Sequence, residues 1–161
     1  MSNKKVAMYG VLIALAFIFS YVESLIPFHF VVPGMKLGLA NIVVVAALYT
    51  LGVKDAFILS LIRMVLVSFT FGNLYSLIYS VAGGLLSWTV MVILKKTNIF
   101  SVVGVSIVGG IFHNIGQIIV AMVVLETSAL IYYLPMLLIS GLVTGALIGL
   151  LGGEIIKRIR I

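Results

Sequence analysis

The chain has 161 residues, of which 63% are apolar and only 9% are charged, and its mean hydropathy is +1.36. Because a water-soluble domain carries about 25% charged residues, this composition excludes a soluble globular fold and indicates a protein whose solvent is mostly lipid. The net charge of +6 comes from single or paired basic residues at the ends of apolar runs, a pattern that does not indicate nucleic-acid binding.

The length of the chain sets a second limit. A membrane-spanning helix needs about 20 residues, so six short helices would occupy nearly the whole sequence. We therefore expect an all-α integral membrane protein with a single transmembrane domain over residues 1–161. The sequence has no G-x-x-x-x-G-K-S/T loop for ATP, so uphill transport would take its energy from a partner or an ion.

Apolar segments predict six helices in chain order. They cover residues 6–23, 38–51, 55–71, 74–94, 101–125 and 129–156. The second segment is short for a full crossing of the membrane. Between the first two, residues 24–37 include Pro27, Pro33 and Gly34 among apolar side chains. Prolines so spaced do not fit a regular helix, so we expect this segment to form a structured cap and not a free loop.

The distribution of basic residues predicts the orientation of these helices. If the N-terminus is cytoplasmic, the cytoplasmic side holds Lys4, Lys5, Lys54, Lys95, Lys96, Lys157, Arg158 and Arg160. The outer side then holds only Lys36, and Arg63 lies inside the membrane. Cytoplasmic loops are enriched in lysine and arginine, so we expect a multi-pass protein of the cell (plasma) membrane with both termini in the cytoplasm.

Small residues form stripes on three of the predicted helices. The stripes comprise Gly141, Gly145, Gly149 and Gly153 on the last helix, Ala7, Gly10 and Ala14 on the first, and Ser76, Ser80, Gly83 and Ser87 on the fourth. Such spacing lets another backbone approach closely. For the last helix, packing within the chain is the favoured interpretation.

Polar residues at membrane depth cost free energy unless they are paired or hydrated. Arg63 lies roughly 12 Å along the third helix, near the middle of the bilayer. His113, Asn114 and Gln117 lie at similar or greater height on the fifth helix. Further polar groups in the outer portions of the second and fourth helices are Asn41, Asn73, Tyr75 and Tyr79.

Each of these residues also has a structural interpretation. A lone histidine or asparagine is more often a packing residue, and a tyrosine near a helix end usually belongs to the aromatic belt. Glu23 and Glu126 fall at the outer interface, where we expect both to be solvated. For Arg63, the sequence leaves two alternatives open, contact with a ligand or a structural pairing with carbonyls or a glutamate.

Catalytic and metal-binding groups are scarce in this sequence. The chain has one aspartate, Asp55, two histidines, His29 and His113, and no cysteine. No paired carboxylates, activated nucleophile or metal-ligand spacing appears. We therefore expect no enzyme activity, no catalytic residues, no metal and no cofactor.

Two segments carry a resemblance to a known family. The stretches Pro33-Gly34-Met35-Lys36-Leu37-Gly38-Leu39-Ala40-Asn41 and Gly110-Ile111-Phe112-His113-Asn114-Ile115-Gly116-Gln117 resemble the membrane family labelled heptaprenyl diphosphate synthase component I. That family is also called the Gx transporter family, and it is grouped with the substrate-binding S components of energy-coupling factor (ECF) transporters. The similarity covers nearly the whole chain.

The resemblance implies a bundle of six helices like that of an S component, with an outer pocket capped by the loop after the first helix. In S components, small residues on the first helix contact a transmembrane coupling protein that two ATPases drive. Their usual pattern is alanine-x-x-x-alanine, whereas this chain has Gly10-x-x-x-Ala14. The resemblance therefore indicates Ala7, Gly10 and Ala14 as a docking face but leaves the identity of the partner open.

The enzyme label in the family name can be tested against the residues. Prenyl diphosphate synthases hold Mg²⁺ and diphosphate with two aspartate-rich motifs, since Mg²⁺ prefers several carboxylate oxygens. A chain with one aspartate does not supply that chemistry by itself. At most it would accompany a catalytic subunit.

These arguments predict a substrate-binding membrane subunit for uptake of a small vitamin-like, quinone-precursor or isoprenoid-related molecule, energised by a separate ECF-type coupling module. The candidate binding residues are Lys36, Asn41, Arg63, Tyr79, His113, Asn114 and Gln117. Arg63 and the apolar surroundings favour an anionic ligand with an apolar body. The alternative is a noncatalytic membrane partner of a prenyl diphosphate synthase or a redox complex.

Overall fold

A computed structural model describes residues 3–25, 36 and 38–159, and these residues form helices and no strand. The α-helices are α1 (Asn3–Leu25), α2 (Asn41–Thr50), α3 (Val53–Phe71), α4 (Leu74–Thr97), α5 (Val102–Val124) and α6 (Leu134–Ile159). A short 3₁₀ helix, Ser128–Tyr133, precedes α6. The all-helical prediction is confirmed for the described residues.

Four helical segments are long and apolar enough to cross a membrane, which indicates a membrane protein. They are Lys5–Leu25, Leu74–Thr97, Val102–Val124 and Ser128–Arg158. The other two helices differ from these. α3 has 19 residues but carries Lys54, Asp55 and Arg63, and α2 has only 10 residues. A helix of that length is about 15 Å long, half the thickness of the hydrocarbon core.

The start of α2 differs from the predicted segment 38–51. Gly38 has a φ of +84°, and residues 38–40 form a turn before the helix begins at Asn41. The amide of Asn41 donates to the carbonyl of Gly38 at 2.8 Å. An i to i+3 bond of this kind closes a turn and not an α-helix. The predicted cap over residues 24–37 lies mostly outside the described residues, and its first two residues belong to α1.

The last predicted helix, 129–156, is also divided in the structure. Residues 128–133 are 3₁₀, and α6 begins at Leu134. Pro135 accounts for this boundary, because it has no N–H and would break a continuous α-helix running from residue 129. In the first turn of α6, by contrast, proline costs no hydrogen bond, because the N–H groups of the first turn have no intrahelical acceptor.

α2 occupies the centre of the bundle. Every residue from Ile42 to Leu48 is buried, and the helix contacts α1, α3 and α6. One side of the bundle, where α1 begins and α6 ends, also holds the start of α3 and the end of α4. There the Lys5 ammonium lies 2.8 Å from the Asp55 carboxylate, and Lys95 Nζ donates to the Leu48 carbonyl at 2.5 Å. We call this side the basic side.

Glycines bring α5 and α6 into close contact. A Cβ placed on Gly145 would lie 2.7 Å from both the Ile107 Cα and the Ser106 carbonyl oxygen. A Cβ on Gly149 would lie 2.7 Å from the Val103 Cα. Gly141 packs in the same way against the backbone of Gly110. We call these four glycines, 110, 141, 145 and 149, the glycine seam. They confirm packing within the chain for three glycines of the predicted stripe, whereas a Cβ on the fourth, Gly153, would meet no described atom within 4 Å.

Candidate functional site

Arg63 is buried in the middle of α3, with only 5% of its surface exposed. Its Nη2 donates to the side-chain oxygen of Asn41, the first residue of α2, at 2.9 Å. Among the described residues, Arg63 Nε has no hydrogen-bond partner. Among the described residues, the guanidinium is therefore hydrogen-bonded to a neutral amide, and no hydrogen bond to a carbonyl or a glutamate is seen there.

His113 and Gln117 contact each other one turn apart on α5, and both are buried. The Gln117 side chain also pairs with the backbone of Lys36. Gln117 Nε2 donates to the Lys36 carbonyl at 3.3 Å, and Gln117 Oε1 accepts from the Lys36 amide at 3.4 Å. The other imidazole nitrogen, His113 Nδ1, faces Gly83 on α4, where an added Cβ would lie 3.0 Å from it. Gln117 thus joins α5 to the chain that precedes α2.

Glu23 is a member of this site that the sequence argument missed. We expected a solvated side chain, but the Glu23 carboxylate is half-buried and accepts a hydrogen bond from the Gly38 amide at 2.7 Å. The available signal was charge, since Arg63 and Lys36 are the basic residues beyond the basic side. Only Glu23 and Glu126 could balance them there, and Glu126 is exposed beyond the end of α5.

Gly38 places the backbone directly beside these side chains. It is buried, and a Cβ on it would lie 2.6 Å from Asn41 Nδ2 and 3.4 Å from the His113 ring. With a positive φ and no space for a side chain, this position favours glycine for two independent reasons. The residues so assembled, which we call the polar cluster, are Glu23, Lys36, Asn41, Arg63, His113 and Gln117.

The Lys36 side chain carries a second cationic group into the polar cluster. Its ammonium nitrogen is buried and has no hydrogen-bond partner among the described residues. Burial lowers the pKa of Lys36, the nearby Glu23 carboxylate opposes that shift, and the Arg63 charge adds to it. Gln117 therefore holds the backbone of Lys36, whereas the Lys36 ammonium has no such partner in the part of the chain that the structure describes.

Two predicted site residues lie outside the polar cluster. Asn114 Nδ2 donates to the Leu137 carbonyl at 2.7 Å, which ties α5 to α6. Tyr79 is 1% exposed and packs in an apolar group with Ile118 and Leu130, with its ring 6.4 Å from that of Tyr75. In these positions both residues contact neighbouring elements of the bundle.

The small face of α1 is uncovered. Ala7, Gly10 and Ala14 are exposed, and a Cβ on Gly10 would meet no described atom within 4 Å. This openness contrasts with the glycine seam, where a neighbouring helix fills the same kind of space.

Within the described residues, no group of three or more histidine, aspartate or glutamate side chains could hold a metal ion.

Comparison with known proteins gives one family match. A family model described as heptaprenyl diphosphate synthase component I matches residues 12–155. The match covers four helices completely, α2 to α5, together with the second half of α1 and most of α6. No curated protein and no solved structure gives a significant match.

Proposed function

The chain belongs to the heptaprenyl diphosphate synthase component I family, and on this premise we propose that it is a noncatalytic membrane subunit that binds a small solute for uptake. The solute is a vitamin-like, quinone-precursor or isoprenoid-related molecule with an anionic group. The polar cluster is its binding site.

The observation that supports this proposal is the incomplete pairing of Arg63. A charged side chain at membrane depth is costly unless it is paired or hydrated, and such residues commonly mark ligand or ion pathways. Among the described residues, Arg63 has one hydrogen-bond partner, the neutral side chain of Asn41, and Lys36 Nζ has none. A carboxylate, phosphate or enolate-like oxygen would complete both groups, because guanidinium binds such oxygens with two hydrogen bonds.

Mass spectrometry of small molecules retained by the purified protein tests the proposal. We expect the wild-type protein to retain an anionic compound and Arg63→Ala to lose it. Ser106→Ala, a buried substitution on α5 next to the glycine seam, is the control and should retain the compound. A thermal melt of each variant separates lost binding from lost folding. If folded Arg63→Ala retains the same compound as the wild type, Arg63 is a packing residue and the anionic ligand loses its main support.

A separate energy-coupling module drives the uptake in this proposal. We propose that a helix of a transmembrane coupling protein, itself moved by ATPase subunits, packs on the open face of Ala7, Gly10 and Ala14. Leucine at both Gly10 and Ala14 would prevent close approach of that helix. The double variant should lose uptake while keeping solute binding, and wild-type uptake by it would eliminate this face as the docking site.

The basic side is cytoplasmic in this proposal, and the membrane is the plasma membrane. Cysteines introduced singly at Ser2, Thr97 and Ile161 should resist an impermeant thiol reagent in intact cells, whereas one at Ser128 should react. The chain has no native cysteine to interfere. Labelling of the Thr97 position from outside would overturn the six-crossing topology.

The family description favours a second candidate, a noncatalytic membrane partner of a prenyl diphosphate synthase. The only aspartate, Asp55, is paired with Lys5 on the basic side, which does not provide the carboxylates that Mg²⁺ and diphosphate need. A catalytic subunit would therefore have to be a separate protein. Co-purification with a soluble synthase, with no retained solute, would favour this candidate over uptake.

A further inference from the structure

The charges of the polar cluster can be counted. Arg63 and Lys36 are cationic and Glu23 is anionic, so the formal sum is one positive charge. Residues 26–35 and 37, which adjoin Lys36 in the sequence, include no aspartate, glutamate, lysine or arginine, so His29 is their only titratable side chain. The count for this region of the chain is therefore complete apart from histidine.

The sum does not depend on where one proton resides. Glu23 and Lys36 interact electrostatically, and transfer of a proton from the lysine to the glutamate would neutralise both and leave the total unchanged. Arg63 remains as the uncompensated charge, because Asn41 is neutral. Buried charge is costly, so the bound state is most favourable when ligand and cluster together are neutral.

We infer that this site selects a ligand with a single negative charge, such as a carboxylate, and that Glu23 is the residue that sets this limit. The inference rests on the proposed binding function and specifies the class of ligand. A phosphate monoester or a diphosphate brings more negative charge than the cluster can balance. Without Glu23 the cluster would hold two positive charges and would accept such ligands.

Two substitutions change the charge in opposite directions while keeping the local hydrogen bonds. Glu23→Gln removes the negative charge, and its amide oxygen can still accept from the Gly38 amide. Lys36→Gln removes a positive charge, and the bonds between Gln117 and the backbone of residue 36 can persist. Glu126→Gln is the matched control, since Glu126 is exposed on the same side but outside the cluster.

The test compares acetate with inorganic diphosphate, two anions that have no apolar body whose fit could mask the effect of charge. The full-length protein in detergent is melted over a concentration series of each anion at constant ionic strength. We expect acetate to stabilise the wild type at lower concentration than diphosphate does. The ratio of the two half-stabilising concentrations should shift about tenfold or more toward diphosphate in Glu23→Gln, and toward acetate in Lys36→Gln.

The outcomes separate this inference from the proposed function. Equal ratios in the wild type and in folded Glu23→Gln or Lys36→Gln overturn the inference, as does a wild type that prefers diphosphate or distinguishes neither anion. A shift of the same size in Glu126→Gln also overturns it, because the effect would then be nonspecific. In each of these cases, a retained compound lost from Arg63→Ala would still support the binding function. If one variant fails to fold, the other decides the test.

Discussion

Along α5, the residues nearest the basic side pack against α6 through glycines, whereas those beyond Phe112 include His113 and Gln117 of the polar cluster. In the first half, a Cβ on Gly110 would meet the backbone of Gly141 and Gly145. In the second half, His113 and Gln117 reach Gly83 and the backbone of Lys36. One helix thus combines a seam of backbone contacts with a site built from side chains.

The glycine seam and the polar cluster are stabilised by different forces, although the second half of α5 also has a backbone contact, with a Cβ on Gly116 2.8 Å from the Gly83 Cα. In lipid, close backbone contact gains dispersion energy without any hydrophobic driving force between helices. Polar side chains at depth must instead satisfy one another, and a partly satisfied group is costly. Under the proposed function, the glycine seam would fix the position of α5 while the polar cluster exchanges hydrogen bonds with a ligand.

The largest predicted effect on the free energy of unfolding is that of a substitution in the glycine seam. Gly145→Leu should lower the free energy of unfolding by about 3 kcal/mol or more, because the obstructing atoms are backbone and cannot rotate away. Gly153→Leu is the control on the same helix, since a Cβ there meets no described atom within 4 Å. Thermal melting in detergent measures both. If Gly145→Leu melted like Gly153→Leu, the α5–α6 contact would not be the rigid part of the bundle.

A smaller effect is expected in the polar half. Gln117→Leu removes both bonds to the Lys36 backbone and the contact with His113, and it should cost about 1–3 kcal/mol. Ile119→Leu, on the exposed face of α5, should leave the melting temperature unchanged. A loss as large as that of Gly145→Leu would mean that the polar cluster also positions the helices, contrary to the comparison above.

The glycine seam could be predicted from the sequence, whereas the contacts that bring Gly38 and Glu23 into the polar cluster could not. Glycines every fourth residue indicate close helix packing, and Gly141, Gly145 and Gly149 pack in this way, whereas a Cβ on Gly153 would meet no described atom within 4 Å. The grouping of Arg63 with His113 and Gln117 follows from helical rise, because two helices of predicted direction place them at similar depth. Both predictions depend on residues in regular helices, whose positions can be calculated along one axis.

The missed features depend on irregular backbone. Residues 38–40 are apolar, so they appeared to extend α2, and only the positive φ of Gly38 explains why they do not. That turn brings the Gly38 amide to Glu23, a contact across 15 residues of sequence that no local pattern encodes. The burial of Tyr79 and the bond from Asn114 to Leu137 were missed for a related reason, since rotation about the helix axis depends on neighbours.

Substitutions at two glycines can separate the cost of steric crowding at the polar cluster from the cost of backbone strain. Gly38 and Gly52 both have positive φ, but a Cβ on Gly52 meets no described atom within 4 Å. Gly52→Ala should cost about 1 kcal/mol from strain alone. Gly38→Ala should cost about 1 kcal/mol more, because the new Cβ would approach Asn41 and the His113 ring. Equal losses in melting experiments would show that the chain does not press on the polar cluster at Gly38.

The smallest predicted effect concerns the charges of the basic side, which differ from Arg63 in their access to water. Lys5 and Asp55 form an ion pair at 2.8 Å, with side chains 36% and 17% exposed, and Tyr9 donates to the same carboxylate at 2.9 Å. Asp55→Asn should lower the free energy of unfolding by about 0.2–1 kcal/mol, because exposed ion pairs contribute little and the tyrosine can still donate to the new amide oxygen.

Salt distinguishes the ion pair from the remaining hydrogen bond. In about 1 M salt the Debye length falls to about 3 Å, so the difference between Asp55→Asn and the wild type should shrink toward zero. In a Lys5→Gln background, where the pair is already broken, Asp55→Asn should have almost no effect at low salt. A loss that persists in both conditions would show that the carboxylate acts through Tyr9, which joins α1 to α3. The Asp55 carboxylate would then contribute to the free energy of unfolding through a hydrogen bond between helices, as side chains of the polar cluster do, and not through its ion pair with Lys5.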